Sequence, residues 1–212
     1  MISWKGQEYL TKMIAIIDYD AGNLKSVAKA LEFLSAPCIV TRDRDEILNA
    51  DKVILPGVGN FGDCMEKLEN YGLVSIIKEV VAKGTPFLGI CLGFQLLFES
   101  SDEAPGVKGL SLLPGKILRI PEGNGLKIPQ IGWNSLELCN DGALFKGIKD
   151  ESYVYFVHSY YLESDADFVK AKTPYGINLS VSVEKDNIFG TQFHPEKSGN
   201  VGLSILKNFL EL

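Results

Sequence analysis

Cys91 stands in Gly89-Ile90-Cys91-Leu92-Gly93, a thiol between two glycines. The apolar run Thr85–Ile90 before it reads as a buried strand, and Phe94–Glu99 after it reads as a helix. A strand, a sharp turn and a helix make the setting of a nucleophile elbow, with Cys where G-x-S-x-G has Ser. A nucleophile on so tight a bend takes a strained backbone, and neighbours without side chains remove the clashes. A helix that begins at the sulfur favours its anionic form. Alone, a buried Cys is as readily a small packing residue, so the reading needs partners.

The first partner is Phe193-His194-Pro195-Glu196, after the last apolar run. Proline keeps His194 out of the helical basin. His194 and Glu196 then point to one side, and the carboxylate fixes the imidazole tautomer and supports its charge. Thiol, base and orienter are the parts of nucleophilic catalysis. The second partner is Pro56-Gly57-Val58-Gly59, a loop after another apolar run. Acyl transfer needs donors for a developing oxyanion. The amide of Leu92, next to the nucleophile, is one candidate, and the amide of Val58 is the other.

These pieces must be carried by a fold. Met13–Asp18, Cys38–Thr41, Lys52–Leu55 and the run before Cys91 read as strands, with helical stretches at Leu24–Leu34, around Ile47, at 61–69 and at 73–83. Alternating β and α units predict an α/β fold, an open and mostly parallel sheet with helices on both faces. The second half differs. Gly115–Ile120, Gln130–Leu138, Tyr153–Tyr161, Phe168–Lys172, Leu179–Glu184 and Ile188–Phe193 read as strands with few helices between, then a helix closes the chain over Val201–Leu210. They predict antiparallel strands added to the sheet, or a small second sheet. Ligands of open α/β sheets bind beyond the carboxyl ends of strands, so Cys91 and His194 are expected to meet there.

Composition narrows the class. The chain has 212 residues, 46% of them hydrophobic, which fits one domain. The net charge of −6 comes without a Lys/Arg block, which disfavours nucleic acid and anionic membranes as partners. With only two His and four scattered Cys, no zinc or redox spacing appears and no metal or cofactor is expected. A reducing cytoplasmic setting is expected, with Cys38, Cys64 and Cys139 as packing residues. Residues 1–12 read as an extension ahead of a second Met, from a tag or start-site choice, and 13–212 as the working domain.

In order and content, Pro56-Gly57-Val58-Gly59, Gly89–Gln95 and His194-Pro195-Glu196 resemble the class I (triad) glutamine amidotransferases. Within that family the likeness is closer to glutaminase subunits that serve a (β/α)8 cyclase in histidine biosynthesis. Asp20–Leu24, Leu55–Phe61, Glu103–Leu110, Ile131–Asn134, Phe156–Tyr160 and Gln192–Ser198 carry it. Phe94, where sister glutaminases have His, leans away from the anthranilate and guanylate branches.

The resemblance implies that Cys91 attacks the side-chain amide of L-glutamine, with His194 and Glu196 completing the triad. It implies oxyanion donors at Val58 and Leu92, glutamine contacts at Gly59, Gln95, Ser159 and Tyr160, and a partner face at Asn23, Trp133 and Lys197. It also implies a heterodimer in which ammonia passes to the cyclase. His158 is read as structural or interfacial. The same triad also fits a glutaminase for another synthase, including one forming an amidine on a sugar, a catalytically silent partner-binding subunit, or a stand-alone amide hydrolase.

Overall fold

The computed structural model describes residues 12–20, 22–123 and 125–212. Apart from Lys12, the stretch read as an extension lies outside the described residues, as does Ala21 of the Asp20–Leu24 motif.

The first half alternates as its apolar pattern requires. In chain order it runs β1 (Ile14–Ile17), α1 (Leu24–Phe33), β2 (Cys38–Thr41), α2 (Arg44–Leu48), β3 (Lys52–Gly57), α3 (Phe61–Asn70), α4 (Leu73–Ala82) and β4 (Phe87–Cys91). β1, β3 and β4 are buried along their whole length. Strands covered on both faces have that continuous apolar character. Ile14 and Ile16 of β1 pack on one side of the sheet with Val27 and Leu31 of α1, while Ala15 and Ile17 pack on the other with α3 and α4.

The second half begins with α5 (Leu92–Gln95) and continues through β5 (Ser100–Ser101), β6 (Lys116–Arg119), β7 (Gln130–Ser135), β8 (Glu137–Leu138), β9 (Tyr153–His158) and β10 (Tyr160–Glu163). It ends with β11 (Val169–Tyr175), β12 (Ile177–Lys185), β13 (Ile188–Thr191) and α6 (Gly199–Leu210). The large sheet has the order β2-β1-β3-β4-β13-β12-β10-β6-β5. Its first five strands are mutually parallel. β12, β10 and β6 follow in antiparallel pairing, and β11 pairs with both β12 and β8. β7 and β9 form a separate two-stranded ribbon. Both expected outcomes, added antiparallel strands and a small second sheet, therefore occur.

Four expected boundaries differ. Gln130–Leu138 and Tyr153–Tyr161 are not single strands: each divides, at Leu136 and at Ser159, between the ribbon and the large sheet. β-Propensity is high on both sides of each break, so only the change of partner reveals it. The helix after Cys91 is a single turn, α5, instead of running through Glu99. Residues 92–98 are buried throughout, so no solvent-facing side exists to favour a longer amphipathic helix. The last strand stops at Thr191, and Gln192 and Phe193 lead the chain toward the ribbon. No described helix is long and apolar enough to cross a membrane.

Candidate active site

The site lies at the carboxyl ends of β1, β3, β4 and β13, where the parallel strands release their chains. β4 ends on Cys91, whose φ of 56° and ψ of −108° lie outside the helical and strand basins. Such a conformation costs about 1–3 kcal/mol and persists only where surroundings enforce it. Backbone contact enforces it here. A Cβ on Gly89 would sit 2.6 Å from the carbonyl oxygen of Gly93, and one on Gly93 would strike the carbonyl of Leu55. Both glycines of the motif are thus required by close approach of main chains. Gly57 pairs with Cys91 in the sheet and brings the 56–59 loop against the elbow. Beneath it the hydroxyl of Tyr19 donates to Pro56 O at 2.8 Å.

His194 is extended (φ −98°, ψ 95°), as the following proline demands. Its backbone is tied to the ribbon. His194 N–H donates to Tyr155 O at 3.1 Å. The buried Ser198 hydroxyl donates to His194 O at 2.6 Å and accepts Tyr155 N–H at 2.9 Å. The imidazole Nδ1 is 2.7 Å from Glu196 Oε1. That same oxygen accepts from Asn23 Nδ2 at 2.5 Å. Asn23 begins α1 in a left-handed conformation (φ 75°) and makes no side-chain cap on that helix, so its amide is free for Glu196. Among the described residues, His194 Nε2 has no hydrogen-bond partner although it is buried.

Burial opposes charge on His194, but the Cys91 thiol and then the Glu196 carboxylate oppose burial, and its pKa is pushed up to about 10. The arrangement favours an imidazolium facing the sulfur. A charged donor with an unengaged Nε2 can deliver a proton to a leaving group, and an elbow sulfur can attack a carbonyl carbon.

A cavity of about 310 Å³ opens above the elbow. It gathers eight of the residues singled out in the sequence: Val58, Gly59, Cys91, Leu92, Gln95, Ser159, Tyr160 and His194. Glu196 stands behind His194. Of the other three, Asn23 is half-buried on Glu196, while Trp133 and Lys197 are exposed. Trp133 belongs to an uncovered apolar ribbon face with Ile131 and Tyr153, each more than half exposed.

His158 also lines the cavity, but in a different state. Burial, together with the charge of His194, outweighs the Tyr160 carbonyl and holds its pKa down to about 4. The neutral ring has one N–H. Nδ1 donates it to Tyr160 O at 2.8 Å, because a carbonyl only accepts. Nε2 then accepts from the side-chain amide of Gln130 at 2.9 Å, with the amide turned to present its NH2. His158 is thereby structural.

Sequence reasoning gave no role to three residues found here: Tyr19 under Gly57, Glu103 on the cavity wall accepting Phe61 N–H at 2.8 Å, and Gln192. Gln192 is two residues before His194, the one local hint available. Cys139, read as packing, is exposed, with its sulfur against Glu137 O at 3.4 Å. It sits where β8 has just ended, too short a strand to cover it. Among the described residues no group of three or more His, Cys, Asp or Glu is placed to hold a metal.

The model for glutamine amidotransferase class-I matches residues 15–212. An imidazole glycerol phosphate synthase subunit HisH from Methanothermobacter thermautotrophicus is 52% identical over 200 residues, covering 94% of this chain and 98% of its own. Subunits of the same name from Methanocaldococcus jannaschii (50%, covering 94% of this chain and 100% of its own) and Bacillus cereus (52%, 93% of each) are also similar. Among solved structures, a glutamine amidotransferase has a TM-score of 0.73 at 19% identity, covering 93% of this chain and 97% of its own. PurLQS from Thermotoga maritima has a TM-score of 0.72 at 21% identity, covering 94% of this chain and 98% of its own. At those identities the two structures speak for the fold.

Proposed function

This chain belongs to the class I glutamine amidotransferases, and on that footing we propose that it is the glutaminase subunit of an imidazole glycerol phosphate synthase, in histidine biosynthesis. The observation that carries the reading is 52% identity running through 94% of this chain and 98% of an archaeal subunit of that name. The chain hydrolyses L-glutamine to glutamate in the cytoplasm. The ammonia passes to a (β/α)8 cyclase partner, which forms imidazole glycerol phosphate and aminoimidazole carboxamide ribonucleotide.

In this reading the Cys91 thiolate attacks the side-chain carbonyl carbon of glutamine, bound through Gly59, Gln95, Ser159 and Tyr160. The amides of Leu92 and Val58 hold the oxyanion. As the tetrahedral intermediate collapses, His194 Nε2 gives its proton to the departing nitrogen, which leaves as ammonia, and a γ-glutamyl thioester remains. The neutral His194 then takes a proton from water, whose oxygen attacks the thioester. Glutamate leaves, the thiolate returns and His194 is again charged. Glu196, steadied by Asn23, keeps the imidazole in the tautomer that this cycle needs. The cyclase docks on the face that holds Trp133, with Asn23 and Lys197 at its rim.

The test is glutamine consumption by the purified chain, alone and mixed with a cyclase barrel, with and without the nucleotide substrate. Slow turnover alone and fast turnover in the loaded complex are expected. The motive is the 56–59 loop, where Gly59 (φ 107°) lets a peptide wait in an unproductive orientation until the partner docks. Fast turnover without a partner, or none with one, counts against the assignment.

A further inference from the structure

Gln192 is fully buried, and the reaction described above gives it no part. Three contacts fix which way its amide points. Gln95 Nε2 lies 3.3 Å from Tyr160 O and 2.9 Å from Gln192 Oε1. A backbone carbonyl can only accept, so the Gln95 atom facing Tyr160 must be its NH2. The second hydrogen of that NH2 needs an acceptor, and the Gln192 atom facing it must therefore be the oxygen. The Gln192 NH2 is left facing Cys91, with Nε2 at 3.9 Å from Sγ, a reach suited to a sulfur acceptor. One carbonyl thus orients two buried amides in series and ends with an N–H donor aimed at the nucleophile.

We propose that Gln192 is a catalytic hydrogen-bond donor to the Cys91 sulfur, stabilising its thiolate, with Gln95 as the residue that locks its orientation. This deepens the glutaminase reading and rests on Cys91 being the nucleophile. The other titratable groups near the sulfur are His194 beyond β13, Tyr19 and Cys64 beneath the 56–59 loop, and Glu103 and His158 on the cavity wall. The variants below change none of them.

The experiment is the pH profile of Cys91 alkylation by iodoacetamide, read on its peptide by mass spectrometry, with exposed Cys139 as internal reference. Gln192→Glu keeps the oxygen for Gln95 but replaces the donor with negative charge. It should move the Cys91 midpoint upward and slow alkylation about tenfold at neutral pH, one unit being tenfold. Gln192→Met, which removes the donor without adding charge and also takes away the acceptor for Gln95, should slow it about threefold. Cys139 should keep its profile in both. Superimposable Cys91 profiles overturn the proposal. In the unmodified chain, one Gln192 side-chain amide proton should shift in NMR with the same midpoint as alkylation, and a resonance that stays put over that range overturns it without any variant. Glutamine turnover by the unmodified chain in the loaded complex is scored separately. Its absence sinks the glutaminase assignment, whereas unchanged alkylation beside normal turnover sinks only the donor role of Gln192.

Discussion

The chain has two histidines, both buried in the wall of one cavity, and their surroundings favour a charged ring at His194 and a neutral one at His158. His194 is pushed up to about 10, and His158 is held down to about 4. Burial acts on both in the same sense, toward the neutral form. The difference lies in what the two rings face. His194 meets a thiol and a carboxylate, and His158 meets a carbonyl and an amide. Burial therefore sets how much a neighbour matters, and the neighbour sets the sign. The two also interact, since a charged His194 helps keep His158 neutral.

The comparison can be broken hardest at the sulfur. Cys91→Ala should lower glutamine turnover by at least about 10⁴-fold, while synthesis from added ammonia by the complex persists. Loss of both would make Cys91 a structural residue. Glu196→Gln should come next, with turnover about 100-fold lower and the His194 midpoint, followed by NMR, displaced downward. An unmoved midpoint would show that the carboxylate does not support the charge.

His158→Leu probes the other ring. It leaves Gln130 and the Tyr160 carbonyl short of a partner and should cost about 2 kcal/mol in denaturant unfolding. The pH profile of the remaining activity should stay in place, and a displaced profile would assign His158 a protonic role. Asn23→Ala should weaken turnover by about fivefold, for one hydrogen bond to Glu196 of roughly 1 kcal/mol.

A separate effect is expected on stability against pH. For His158 the unfolded state binds more protons between about 6.5 and about 4, so its contribution is complete above that range and is lost as pH falls through it. For His194 the folded state binds more protons between about 6.5 and about 10, so its contribution is complete below and is lost as pH rises. Taken by themselves, these two contributions are both complete only near about 6.5. A flat profile across either flank would contradict the corresponding assignment.

What was legible in the sequence follows the same divide between local and distant causes. The β/α alternation, the elbow around Cys91 and the extended His194-Pro195-Glu196 segment are written in neighbouring residues, and they stand where expected. The hold of Asn23 on Glu196, and of Gln95 on Gln192, joins residues far apart in the chain, and an amide leaves no periodic signature. The breaks at Leu136 and Ser159 were hidden because a strand former stays one whichever sheet receives it. The length of α5 was hidden because an apolar run buried on all sides looks alike in helix and turn.

The hydrogen bond between His194 and Tyr155, and the Ser198 hydroxyl that bridges the same two main chains, have a mechanical meaning. Tyr155 lies on the ribbon strand opposite Trp133, and their rings meet edge to face at 6.2 Å. Any protein that grips those aromatics is pulling on the rail to which the imidazole is bolted. A load on those aromatics would be felt at the His194 main chain through two hydrogen-bonded segments.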